Sequence, residues 1–186
     1  MKIAVCEVSP CLEVGSREWR SICRLVSSEQ PELFVLNELP FGAWIASAEE
    51  FEKKMWTESC DKHQQGIASL SELGSQTVVG SRPREFNGKR LNAAFAWSKV
   101  DGLRDIHTKQ YFPNEEGYYE ARWFEAGEHC FEIVNVSGCE VGVLLCTDVM
   151  FNEHARRYGR EGAQVIIVPR AVGVESLDRW LVAMKM

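Results

Sequence analysis

Val141-Gly142-Val143-Leu144-Leu145-Cys146-Thr147-Asp148, with the helical segment Phe151 to Arg160 close behind, is the stretch on which the reading of the fold turns. The apolar run reads as a buried strand. The segment after it has helical character and is closed by Gly162, and Gln164 to Val168 reads as a further strand stopped by Pro169. A side chain at such a strand–turn–helix junction can be presented at a helix start. There the partial positive charge favours a thiolate, which predicts a lowered pKa for Cys146, and the Thr147 N–H could face a developing oxyanion. The ordinary alternative is a buried structural cysteine.

The same alternation runs outward on both sides. Lys2 to Glu7 reads as a strand. Ser16 to Ser28 is an amphipathic helix, with Trp19, Ile22, Cys23 and Val26 on one face. Glu32 to Glu38 is a buried strand ending on polar residues before Pro40, Phe41 and Gly42 turn the chain. Glu49 to Leu73 is mostly helical, and Gln76 to Gly80 is a short strand. Leu91 to Trp97 and Gly102 to Gln110 form a hairpin turned by Asp101-Gly102. Tyr111 to Glu128 is a loop or short helix, and His129 to Val136 pairs with Cys139 to Leu145 around Ser137-Gly138. A final helix, capped by Ser176, carries Leu177, Trp180, Leu181 and Met184 on one face. Strands and helices mixed in this order predict a layered α/β fold. No repeat or linker divides the chain, so residues 1–186 are assigned to one domain.

Composition narrows the function. A net charge of -6 argues against nucleic acid, which needs a basic face. No apolar run is long enough to cross a bilayer. Seven scattered cysteines, an odd number without a C-x-x-C pair, predict a reducing, cytoplasmic setting. Cys60-Asp61-Lys62-His63 resembles half a metal site with no second half, so neither metal nor cofactor is expected.

Two further residues stand where α/β sheets place their chemistry. Glu38 ends a buried strand, where loss of water can make a carboxylate a usable general base. Its plain reading is a strand-end carboxylate in water. Lys109 closes another strand after Ile106-His107-Thr108; beside a thiolate and a carboxylate it would hold both anions and stabilise an oxyanion, and taken alone it is a surface lysine.

Their combination is more specific. Leu36-Asn37-Glu38-Leu39-Pro40, His107-Thr108-Lys109-Gln110-Tyr111-Phe112-Pro113 and Gly142-Val143-Leu144-Leu145-Cys146-Thr147-Asp148 follow one another in this order. Phe151-Asn152-Glu153-His154-Ala155-Arg156 and Ile166-Ile167-Val168-Pro169-Arg170-Ala171 come after them. In these stretches the chain resembles the nitrilase superfamily of carbon–nitrogen hydrolases from Met1 to its last helix. The resemblance implies a four-layer αββα sandwich with a Glu38–Lys109–Cys146 triad at one end of the sheets. It also implies a second glutamate that positions substrate or moves protons. That residue is assigned to Glu120 in Tyr118-Tyr119-Glu120-Ala121-Arg122-Trp123-Phe124, with Glu115 and Glu116 as rivals.

The implied reaction is hydrolysis of a small amide or nitrile through a thioester or thioimidate, without cofactor. Thr147 and Asp148 stand where nitrile-cleaving members carry Trp at the first position. Val149 and Met150 stand where N-carbamoyl amino acid hydrolases carry arginines. Both departures favour an amidase over a nitrilase or N-carbamoyl hydrolase. Phe41, Trp44, Tyr118, Tyr119 and Trp123 either line an apolar pocket or pack the core.

The resemblance also implies a longer chain, with further strands and a covering helix beyond Met186, and subunits paired through helix faces. A chain ending here is expected to be poorly stable or inactive. Two other readings compete. A papain-like hydrolase would use His107, His129 or His154 as base, and His-to-Gln changes would separate it. A catalytically silent binding protein would leave Cys146 as unreactive as the other six cysteines.

Overall fold

The computed structural model describes residues 1–128 and 130–185; the expected strand from His129 therefore begins outside the described residues. In chain order the elements are β1 (Ile3–Val5), α1 (Arg17–Glu29), β2 (Leu33–Val35), α2 (Lys53–Ala68), β3 (Thr77–Phe86), β4 (Lys89–Ser98) and β5 (Gly102–Thr108). They continue as α3 (Glu120–Trp123), β6 (Val134–Val136), β7 (Cys139–Val143), α4 (Asn152–Glu161), β8 (Val165–Ile167) and α5 (Leu177–Ala183). Strands β1 to β5 form one sheet in sequence order, parallel from β1 to β3 and antiparallel from β3 to β5. A second sheet runs β6-β7-β8, with β7 and β8 parallel.

The alternation of side chains along the strands dictates four layers. Leu33, Val35, Val79, Ala94, Ala96 and Ile106 leave one face of the first sheet and pack against Val136, Val141, Val143, Leu145 and Ile167 of the second. The opposite face of the first sheet offers Phe34, Leu36, Val78 and Phe95, which are covered by Trp19, Ile22 and Val26 of α1 and by Ile67 of α2. Each such aliphatic or aromatic side chain contributes about 1.5–3 kcal/mol on burial. On the outside of the second sheet, Tyr158 of α4 lies over Gly142, and its hydroxyl donates to Val143 O at 2.9 Å. A Cβ at Gly142 would sit 2.5 Å from the Tyr158 ring, so only glycine lets the helix approach this closely. The arrangement is the expected αββα sandwich.

Several elements differ from expectation. Strand β3 runs on through Pro83 to Phe86 and turns at Asn87-Gly88, both at positive φ, into β4. Pro83 is tolerated because β2 pairs only with residues 77–79 of β3, so the proline needs no ladder bond on that side. Ser16 does cap α1, accepting from Trp19 N at 3.0 Å. Ser176 does not cap α5: its backbone is already helical, and its hydroxyl donates to Gly173 O. Of the apolar face expected on the last helix, Trp180 is buried, with the Arg170 guanidinium over its ring. Leu177, Leu181 and Met184 are exposed.

Candidate active site

The strands that carry the site all deliver their C-terminal ends to one edge of the sandwich. Glu38 follows β2, Lys109 directly follows β5, and Cys146 follows β7. A backbone bond joins the two sheets there, Glu38 N donating to Arg170 O at 3.4 Å, and Cys146 N donates to Pro169 O at 3.1 Å, extending the pairing of β7 with β8. Two residues at this edge, Leu39 and Cys146, hold φ of 45°. The left-handed region is unfavourable for residues with a Cβ and is kept only where surrounding contacts impose it.

The side chains converge. Lys109 Nζ donates to Glu38 Oε1 at 2.8 Å and to Glu120 Oε2 at 2.6 Å, and all three groups are buried. The Cys146 thiol lies beside this cluster, within the field of Glu38, Lys109 and Glu120. Glu115 and Glu116 are exposed on the preceding turn, so Glu120 is the carboxylate that reaches the lysine.

Electrostatics follow from burial. Burial alone would lower the Lys109 pKa, but Glu38, Glu120 and Cys146 outweigh it and hold the ammonium well above its ordinary range. Burial, together with the Glu38 charge, pushes Glu120 up to about 8 against the pull of Lys109. Cys146 is raised well above an ordinary thiol, first by burial and then by Glu38, with Lys109 opposing. This corrects the expected thiolate. The short 3-10 turn at residues 146–150 does not offset burial beside two carboxylates, and the resting cysteine is a neutral thiol facing a base.

Other expected residues fall differently. Thr147 is in place at the first turn after the cysteine, with its hydroxyl donating to Tyr111 O at 2.5 Å. Tyr118 Oη accepts from Gly173 N at 2.7 Å, and its ring tilts against Trp44. Phe41 packs between Trp19 and His63 in the core under α1 and α2. Trp123 is fully buried among Trp56, Phe124 and Leu39, donating to Ala48 O at 2.7 Å. Of the two readings open for Phe41 and Trp123, the structure has both side chains packed in the core. Nor do the described histidines serve the thiol. His154 Nε2 meets the Tyr111 hydroxyl, and both ring nitrogens of His107 are engaged elsewhere.

Sequence reasoning missed Asn92, Ala171 and the part played by Asp148. Asn92 Nδ2 donates to Glu38 Oε1 at 2.8 Å, and Ala171 N donates to Glu38 Oε2 at 3.2 Å, so each carboxylate oxygen has a fixed donor. Asn92 lies across from Lys109, whose N–H donates to Asn92 O. A polar residue at the start of an otherwise apolar strand was the available signal. Asp148 stood inside the quoted cysteine stretch, but its partners His107, Gln110 and Tyr111 are remote in sequence.

A four-layer α/β sandwich with a buried glutamate–lysine–cysteine cluster at the ends of its strands defines a class of layered α/β proteins that keep a thiol beside an ammonium and two carboxylates. The carbon-nitrogen hydrolase family model matches residues 2–186, and the chain belongs to that family. It is 33% identical over 166 residues to N-carbamoylputrescine amidase from Arabidopsis thaliana, across 86% of this chain and 54% of that protein. Among solved structures it resembles a carbon-nitrogen hydrolase from Helicobacter pylori G27, with a TM-score of 0.75 and 23% identity over 97% of this chain and 66% of that one. A mutant amidase from Nesterenkonia sp. AN1 in complex with acrylamide gives a TM-score of 0.71 and 20% identity over 95% of this chain and 67% of that one. The chain thus spans about half the length of the Arabidopsis relative.

Proposed function

We propose that the chain hydrolyses a small amide through a thioester on Cys146, with Glu38 as general base, Lys109 as oxyanion stabiliser and Glu120 as the second acid. The observation that carries this is Lys109 Nζ held between two buried carboxylates at 2.8 and 2.6 Å, with the buried cysteine thiol in the field of all three groups. Glu38 takes the thiol proton as sulfur bonds to the carbonyl carbon, and negative charge collects on oxygen near Lys109 and the Thr147 N–H. The proton passes to the leaving nitrogen and the C–N bond breaks. Water then gives a proton to Glu38 and attacks the thioester, the acid departs, and sulfur regains its proton. Glu120, largely protonated near neutral pH, steadies Lys109 and the substrate.

All four groups lie within the chain, so we set this reading against the expectation of an inactive fragment. An N-carbamoyl amine is the second substrate class, favoured by the name of the Arabidopsis relative and compatible with Val149 and Met150, since an amine substrate brings no carboxylate for arginines to bind. Ammonia release from a panel of primary amides, N-carbamoyl amines and nitriles tests both. Turnover on primary amides, lost in Cys146→Ala, is expected. Turnover that survives Cys146→Ala would overturn the reaction centre, and preference for N-carbamoyl amines would favour the second class.

A further inference from the structure

Asp148 joins the two loops that carry Lys109 and Cys146. Its Oδ1 accepts from Gln110 N and Tyr111 N, both at 3.2 Å, directly after the lysine. Its Oδ2 accepts from Leu145 N at 3.0 Å, directly before the cysteine. The remaining partner is His107, two residues before the lysine, with Nε2 2.8 Å from Asp148 Oδ2. Both side chains are buried. The other ring nitrogen, Nδ1, accepts from Phe131 N at 3.4 Å, and this fixes the tautomer: with a backbone donor on Nδ1, Nε2 carries the hydrogen and donates to the carboxylate. The ring is held further by Phe131 at 5.2 Å between centroids.

We propose that His107 is a positioning residue for the reaction, acting through Asp148 to set the separation of Lys109 from Cys146. This rests on the reading of Glu38, Lys109 and Cys146 as the reaction centre. Without the imidazole N–H, Asp148 is a buried carboxylate held only by backbone donors from two separate loops. It is then free to favour one loop over the other, and the strained φ at Cys146 supplies a reason for that loop to relax. A displacement of about 1 Å at reacting groups can cost roughly 100-fold in rate. The role is geometric: the histidine neither touches the thiol nor exchanges its proton. That explains why a base search by residue type singles it out wrongly.

The test is site-resolved alkylation of the whole chain by iodoacetamide, with Cys139 as an internal control because it is also buried and opens β7, the strand that Cys146 follows. With Glu38 beside it to take the thiol proton as sulfur attacks the reagent, Cys146 in the unaltered chain should alkylate at least about tenfold faster than Cys139 despite its raised pKa. His107→Ala should lower the Cys146 rate about tenfold or more, leaving Cys139 unchanged. His107→Gln places an amide N–H where Nε2 stood and should restore the rate to within about threefold. If His107→Ala melts without cooperativity, His107→Asn replaces it: it is polar, but its amide stops short of Asp148, and it should match the alanine loss. An unchanged Cys146 rate in the alanine or asparagine variant would overturn the positioning role, as would a glutamine variant as slow as either. Cys146 labelling no faster than Cys139 in the unaltered chain would overturn the reaction centre itself, a result the variants do not mimic.

Discussion

Glu120 and His63 are buried groups whose protonation is pushed in opposite directions, and this makes the site's electrostatics measurable. Glu120 sits near 8 when folded, against an ordinary value of 4.5, so the folded chain binds the extra proton between those limits. Its contribution is complete below about 4.5 and is lost as pH rises through 8. His63 is pushed down to about 4 by burial from 6.5, so its contribution is lost as pH falls from 6.5 to 4. The two oppose each other below 6.5, which leaves the window from 6.5 to 8 to Glu120. The melting temperature should fall across that window in the unaltered chain and hold flatter in Glu120→Gln; a flat or rising profile in the unaltered chain would show that the carboxyl is not held protonated. Cys146 offers a second residue-scale test. Its φ of 45° costs a residue bearing a Cβ about 1–2 kcal/mol, and glycine is free of that cost. Cys146→Gly should therefore melt above Cys146→Ala, by about 1 kcal/mol after glycine's greater chain entropy is charged. Equal or reversed stability would mean the loop is unstrained.

At the scale of elements, the close approach of α4 to β7 is the most exposed to a single change. Gly142→Ala would place a methyl 2.5 Å from the buried Tyr158 ring, whose hydroxyl is tied to Val143 O. The ring has little room to yield, and overpacking of this kind costs about 2 kcal/mol. Urea titration should show that loss with an unchanged slope; a loss under about 0.5 kcal/mol would mean the helix can shift. Elements with strong local patterns were legible before any coordinates. The apolar face of α1, the buried run of β7 and the glycine closing α4 all carried their own signals. Where tertiary context decides, the sequence was silent or misleading. The expected strand from Gln76 stops at Gly80, but β3 continues through Pro83 because that stretch needs no ladder bond on the β2 side. The hairpin at Asp101-Gly102 is present, and a second one turns at Asn87-Gly88, outside the expected strands. Ser176 had the right residue type for a cap but the wrong backbone. The three groups that converge at the strand ends, Glu38, Lys109 and Cys146, were legible because flanking motifs marked them. Asn92, Ala171 and the Asp148–His107 pair were not, since their meaning lies in contacts between distant segments. Phe41 and Trp123 show the converse: an aromatic near a motif is more often held in a core than left to line a pocket.

On the scale of the whole molecule, two sheets packed face to face bring the ends of β2, β5 and β7 to one edge, and that geometry concentrates an acid, an ammonium and a thiol away from water. Among the described residues no helix is long and apolar enough to cross a membrane. The exposed Leu177, Leu181 and Met184 near the end of the chain contrast with the closed packing around the cluster. The central claim is that this cluster forms an acyl bond through Cys146. Rapid acid quench of the chain with a simple primary amide, followed by mass spectrometry of its peptides, tests it most directly. The account predicts an acyl mass increment on the peptide bearing Cys146 and on none of the other six cysteines, absent from Cys146→Ala. Ammonia release without that increment, or an increment on another cysteine, would contradict it.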